Sequence, residues 1–251
     1  MAAIADDAMH VLTKALEIEV SQVRPCRVIV DEGPSSVVDR VIRISSQPRA
    51  GYRRDDWLEL LFSHELTHLL VRDAWGVGPV LWWEGLAVHL GDDRIRTRLF
   101  GHSYHAYCRA LDHLGGLLPL EPLLRASTFY RRRADLRVDL QAGSFCGFLL
   151  ETLGPQCLRA FLTDYRRPTR AEPGVRLDPI TKQHLGDDFV GLCEGWVRFL
   201  RALPCEPVLV DRLRTRTLGL ECDRSEHCDF CFAPRSSDRE CPCPDDATGR
   251  T

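Results

Sequence analysis

Apolar residues recur at helical spacing from the start of the chain. Ile4, Ala8, Val11, Leu12, Ala15, Leu16 and Ile18 fall on one face of a helix over 4–20. The pattern then changes. After Pro25 the run Cys26-Arg-Val-Ile-Val30 is short and β-branched, Gly33-Pro34-Ser-Ser interrupts it, and Val37 to Ile44 mixes arginines with β-branched residues, which predicts a small sheet. A second amphipathic stretch carries Trp57, Leu58, Leu61, Leu66, Leu69 and Leu70, with Asp55 or Asp56 placed to cap it. Gly76-Val-Gly-Pro79 ends that helix and opens an apolar one over about 80–91. Beyond Asp92-Asp93 the spacing predicts short helices over about 102–114, 119–126, 139–153, 155–165 and 187–203. Leu153-Gly154-Pro155 separates two of them, since glycine suits a helix end and proline a helix start. Residues 166–181, polar and proline-containing, are expected to form a loop. From Pro204 the character changes, and by Leu220 no amphipathic period is left. The expected organisation is one domain over 1–203 and a tail over 204–251, with no internal repeats. The fold class that follows is α+β, a small N-terminal sheet with a mostly helical remainder.

Composition narrows the function classes. The 251 residues are 44% hydrophobic and 27% charged, enough to build a core and contrary to wholesale disorder. A net charge of −3 gives no global basic field, so neither nucleic acid nor an anionic membrane is an expected partner. Only Lys14 and Lys182 are lysines, leaving 31 of the 33 cations as arginine. The arginine clusters, Arg131-Arg132-Arg133 among them, are interleaved with acids and read as solvated surface. The first residues include Asp6 and Asp7 and no unbroken apolar segment, a poor secretory signal, and no apolar run approaches the roughly 18 residues of a membrane span. The expected location is cytoplasmic. There, clustered cysteines bind metal or stay reduced more often than they form disulfides, which matters for a chain with 11 of them.

The chemistry centres on Ser63-His64-Glu65-Leu66-Thr67-His68. This His-Glu-x-x-His lies within the strong helical pattern. Residues four apart share a helix face, so both imidazoles can reach one ion at about 2 Å, while Glu65 stands beside them as a proton acceptor. The competing interpretation is a chance pentapeptide. A catalytic zinc takes three protein ligands, and Glu84 in Leu81-Trp-Trp-Glu-Gly-Leu-Ala87 is the candidate third. An acid among aromatic and aliphatic neighbours needs a partner if it is buried; otherwise it is a helix-start glutamate facing water.

His-Glu-x-x-His followed by a helix with Trp-x-Glu-Gly-Leu-Ala resembles the gluzincin metallopeptidases, in particular the peptidase MA-like proteins and, more distantly, the gluzincin aminopeptidases. The resemblance implies a zincin-like fold and zinc held by His64, His68 and Glu84. It also implies Glu65 as the general base and amide hydrolysis of a peptide as the reaction. Gln141-Ala-Gly-Ser-Phe145 with Phe148 to Gly154, and Asp187 to Leu200, resemble the later helices of these families, so the likeness spans about 26–203. It departs at one place. The aminopeptidases carry an oxyanion-stabilising tyrosine three residues before the glycine of the later motif, and here that position is Leu140. Tyr130, Tyr104, Tyr107 and His89 are the candidate substitutes. The glycine-rich loop that grips a substrate amine is not visible either, so aminopeptidase activity is not implied.

The tail carries Cys222, Cys228, Cys231, Cys241 and Cys243 with His227. A Cys-x-x-Cys and a Cys-x-Cys pair can supply four thiolates to a second, structural zinc; disulfides, a reduced tail or a thiolate that caps the catalytic metal are the alternatives. Cys26, Cys108, Cys146, Cys157, Cys193 and Cys205 read as small core residues. Two further functional readings stand beside the peptidase. One is a zinc enzyme acting on a small molecule without proteolysis, and the other is a non-catalytic metal-bound interaction module.

Overall fold

β-Branched residues build the N-terminal sheet, and its apolar face seats the long helix that follows. The computed structural model describes residues 2–48, 52–133, 135–165 and 177–217. Helix α1 (Ala2–Ala15) buries Ala8 and Leu12 and precedes β1 (Arg27–Asp31), β2 (Ser36–Val38) and β3 (Val41–Ser45). The strand order is β1-β3-β2. β1 runs parallel to β3 with Arg27 opposite Val41, and β2 runs antiparallel to it with Val38 opposite Val41. Along β3 the side chains alternate, so Ile42 and Ile44 are buried while Arg43 faces out. That buried face packs on α2 (Arg54–Ala74). At the far end of α2, Asp73 pairs with Arg40 of the β2–β3 turn and with Arg24 at 3.4 Å. Burial alone would raise the Asp73 carboxyl, but Arg40, Arg24 and Arg72 hold it below its ordinary range.

The first correction is at the start of α2. Its N-cap is Arg53, with no side-chain cap, and Asp55 and Asp56 occupy the first turn instead. Carboxylates there still oppose the positive end of the helix dipole. The expected helix at 80–91 is longer and not uniform. It consists of α3 (Val80–Ala87), a π-helical turn (Val88–Asp93) and α4 (Arg94–Phe100), ended by Gly101 at φ 80°.

Helix α5 (Tyr104–His113) is capped by Ser103. The helix expected over 119–126 is a 3-10 turn, Glu121–Leu124, followed by α6 (Ala126–Arg132). Pro119 and Pro122 lack the N–H groups that an α-helix there would use. Helix α7 (Leu136–Asp164) breaks at Gly154 (φ 79°, ψ 164°), where Gly154-Pro155 was expected to divide two helices. The predicted loop over 166–181 gives way at Leu177, where α8 (Leu177–Leu185) begins; Pro179 sits in its first turn, where no intrahelical N–H is required. Residues 166–176 lie outside the described set. Asp188 caps α9 (Phe189–Ala202). Finally α10 (Pro207–Thr217), in the stretch assigned to the tail, packs on α5 and buries Leu209, Val210 and Leu213.

The helical part is nailed together by aromatic rings. Trp82 of α3 is fully buried, with ring centroids 5.7 Å from Phe145, 5.1 Å from Phe161 and 5.5 Å from Phe189. Gly85 lets α3 approach α7, since a Cβ there would stand 2.5 Å from the Ala142 carbonyl and from Cys146 Sγ. Cys108 and Cys146 are buried, the other described cysteines are half-buried, and all six are free. No described helix is long and apolar enough to cross a membrane.

Two outcomes follow from this packing. Gly85→Ala forces α3 off α7 and should cost about 1–3 kcal/mol in urea unfolding; an unchanged midpoint would contradict the close approach. Asp73→Asn should destabilise the protein at pH 7, where the lowered carboxyl is ionised. The gap from wild type should close as the pH falls below the unfolded carboxyl range near ~4 and through the folded value. A gap that stays constant down to pH 3 would show that the arginine pairing contributes nothing.

Candidate metal centre

Consecutive side chains on an α-helix are about 100° apart, so Trp82, Trp83 and Glu84 serve three different surroundings. Trp82 enters the core. The Trp83 ring lies flat against His68, with centroids 4.6 Å apart and planes 17° apart. Glu84 turns toward α2, where His64 and His68 stand one helical turn apart on the same face. Glu84 Oε2 is 3.7 Å from His64 Nε2 and 3.8 Å from His68 Nε2. One ligand atom from each of the three residues lies within 4.8 Å of the others, and all three residues are buried.

These separations are too long for hydrogen bonds, and Glu84 Oε2 has no hydrogen-bond partner although it is shielded from solvent. Burying a carboxylate oxygen in that state is costly unless a cation completes it. Donors arranged tetrahedrally at about 2.0–2.1 Å around one ion stand about 3.3 Å apart, slightly closer than the two carboxylate–imidazole separations. The donor set therefore fits a divalent metal ion with little movement.

Other side chains fix the three. His64 Nδ1 meets Asp92 Oδ1 at 3.1 Å, which leaves Nε2 to face Glu84. Asp92 comes from the π-helical turn. In an unbroken α-helix, eight residues after Glu84 would point about 80° away from it, and the wider π turn brings Asp92 back to the histidine face. Gly91 permits the approach, since a Cβ there would lie 2.7 Å from the backbone nitrogen of His64. From α6, the Tyr130 hydroxyl donates to Glu84 Oε1 at 2.8 Å. Just past the end of α6, Arg133 places Nη2 3.3 Å from Glu84 Oε2 and Nε 3.6 Å from Asp139 Oδ2.

The protonation pattern of the ion-free chain reflects this crowding. Burial would lower His64, but Asp92, Glu84 and Glu65 outweigh it and raise it to about 10. Burial together with the neighbouring His64 charge drives His68 down to about 3. Glu84 is held at about 2, because His64, His68 and Arg133 override the burial that would raise it. Glu65 moves the other way: burial pushes it up to about 7, with the negative charges of Glu84 and Asp92 adding to the shift.

No known family profile, curated protein or solved structure matches the chain. Of the residues singled out by sequence, His64, His68 and Glu84 come together, and Glu65 is buried on α2 where the charges of His64 and Glu84 act on it. Among the candidate tyrosines, only Tyr130 reaches the centre. Tyr104 is buried with its hydroxyl against Arg96 Nη1 at 3.3 Å, and Tyr107 packs edge-on to His102. His89 sits with Asp93 and His105. Leu140 is buried in the core, and its carbonyl accepts from Cys108 Sγ. Cys222, Cys228, Cys231, Cys241 and Cys243 lie outside the described residues. Sequence reasoning missed Asp92, Trp83 and Arg133. Asp92 was masked by the helical phase that the π turn resets, and Arg133 by the arginine run expected to be plain surface.

Asp92→Asn should weaken uptake of a divalent metal by about 10–100-fold, read by competition with a chromogenic chelator, whereas His64→Ala should remove it. Equal affinities in Asp92→Asn and wild type would deny Asp92 its orienting role.

Proposed function

We propose that the chain is a zinc-dependent hydrolase of gluzincin type that cleaves amide bonds in peptides. The observation that carries this reading is the buried convergence of His64, His68 and Glu84 on one point, with Glu65 buried on the helix that carries the two histidines. Two imidazoles and one carboxylate are the ligand set of an open catalytic zinc site, and zinc there would polarise a substrate carbonyl and make water acidic enough to deprotonate near neutral pH. Cys108 and Cys146, the fully buried thiols, are spent elsewhere: their sulfurs lie against backbone carbonyls of Leu140, Leu81 and Trp82.

The chain's own residues divide the remaining work. Glu65 takes the proton of the attacking water at its carboxylate oxygens and returns it to the leaving nitrogen. Asp92 fixes the His64 ring through Nδ1, and Tyr130 occupies Glu84 Oε1, so that Oε2 is the oxygen turned toward the histidines. Trp83 covers the His68 ring and keeps water from that side. Tyr130 is half-exposed and the Arg133 side chain is 39% exposed, so the α6 side is where a substrate reaches the centre.

Glu65→Gln should retain wild-type zinc content and lose at least about a hundredfold in cleavage of a mixed peptide pool followed by mass spectrometry. Unchanged cleavage would remove Glu65 as the base. A wild-type protein loaded with zinc that cleaves no peptide in the pool would overturn the peptidase reading.

A further inference from the structure

We propose that Arg133 is the substrate-carboxylate anchor of this centre, so that the preferred substrates carry a free carboxylate close to the bond that is cut. This rests on the proposed metal site and specifies which substrates it takes.

Arg133 follows directly on α6, the helix that leans over the centre from the solvent side. It is the cation nearest the convergence of donors among the described residues, with Nη2 3.3 Å from Glu84 Oε2, the oxygen that both imidazoles face. Asp139 Oδ2 lies 3.6 Å from Nε, and the Asp92 charge also acts on the guanidinium. The Glu84 and Asp139 approaches are ion-pair contacts without hydrogen-bond geometry, and the side chain is 39% exposed, so N–H donors of the guanidinium are open to a ligand arriving from solvent. Asp139 faces it with Oδ2, while Oδ1 is buried with no hydrogen-bond partner.

The centre thus holds a buried acceptor and a solvent-facing fork of donors beside each other, in ion-pair contact but not hydrogen-bonded. Glu84 Oε2 is an acceptor that calls for a cation, and the guanidinium is a fork of donors that calls for an anion. A metal ion answers the first and sharpens the second, because Oε2 is then engaged and Arg133 loses its nearest negative charge. A carboxylate matches the guanidinium fork in shape and can accept two parallel hydrogen bonds from it. Because Nη2 is within one hydrogen-bond length of Oε2, an anion held by Arg133 lies a few bonds at most from a carbonyl at the three donors. The C-terminal residue of a peptide, or the acid of an N-acyl amino acid, meets that spacing. The tetrahedral oxyanion of the reaction could draw on the same donors, and the probes below separate the two sources.

The test is equilibrium binding to the zinc-loaded full chain by calorimetry, with two probes that share a zinc-chelating group. One is propionohydroxamate. The other is succinic monohydroxamate, which adds a carboxylate at the end of the same chain length. Wild type should favour the succinic probe by about tenfold or more. In Arg133→Gln the two probes should bind equally, with wild-type zinc content and an unchanged thermal melt showing that the variant is loaded and folded, and Arg133→Lys should restore part of the preference. Equal affinities in wild type, or a preference that survives Arg133→Gln, would overturn the anchor and leave the metal reading standing. Loss of propionohydroxamate along with the succinic probe in Arg133→Gln would assign Arg133 to the metal-bound group itself and likewise overturn the anchor. Failure of both probes to bind wild type, or a chain that takes up no zinc, would overturn the anchor together with the metal reading.

Discussion

A buried carboxylate facing two buried imidazoles sets the terms for the rest of this structure. Glu84 Oε2 is too far from His64 Nε2 and His68 Nε2 to hydrogen-bond with either, and it is shielded from solvent without a hydrogen-bond partner. An uncompensated ionised group in such a place costs several kcal/mol. A shared cation removes that cost, and the ligand atoms already surround the point where it would lie. Much of the surrounding architecture can be understood as the means of holding two helices and a turn in this one relation.

Each restraint acts on a different member. The Trp82 ring, locked among Phe145, Phe161 and Phe189, fixes the rotation and depth of α3 and so the direction of Glu84. Gly85 lets α3 sit directly on the α7 backbone. The π turn resets helical phase between Glu84 and Asp92, which allows one continuous helical path to supply both a candidate ligand and the group that orients another. Gly91 removes the side chain that would keep that turn away from His64. From the opposite side α6 and the residue after it place one group on each oxygen of Glu84, a phenol on Oε1 and a guanidinium near Oε2. Tyr130 and Arg133, the two groups supplied from this side, are partly exposed, whereas His64, His68 and Glu84 are buried.

The sequence showed the parts whose information is local. His64, Glu65 and His68 were visible because a four-residue spacing on a helix means one face. Glu84 was visible because an acid amid tryptophans and leucines has to be explained. The β-branched runs gave the small sheet, and Gly154-Pro155 the break in α7. What stayed hidden depends on contacts between distant segments. Asp92 could not be placed by a 3.6-residue period, since a π turn leaves no mark in composition. Arg133 looked like its two neighbours, and only the lean of α6 distinguishes it. The helix at Leu177 was obscured by Pro179, and α10 by the polar residues that share its segment with Leu209 and Leu213.

The most direct measurement is zinc per chain in a variant whose tail cysteines, Cys222, Cys228, Cys231, Cys241 and Cys243, are all serine, with and without His64→Ala. The account predicts one zinc per chain in the five-serine protein, with nitrogen and oxygen ligands only by X-ray absorption, and none once His64 is also replaced. A five-serine protein that binds no zinc, or one that keeps its zinc after His64→Ala, would contradict it.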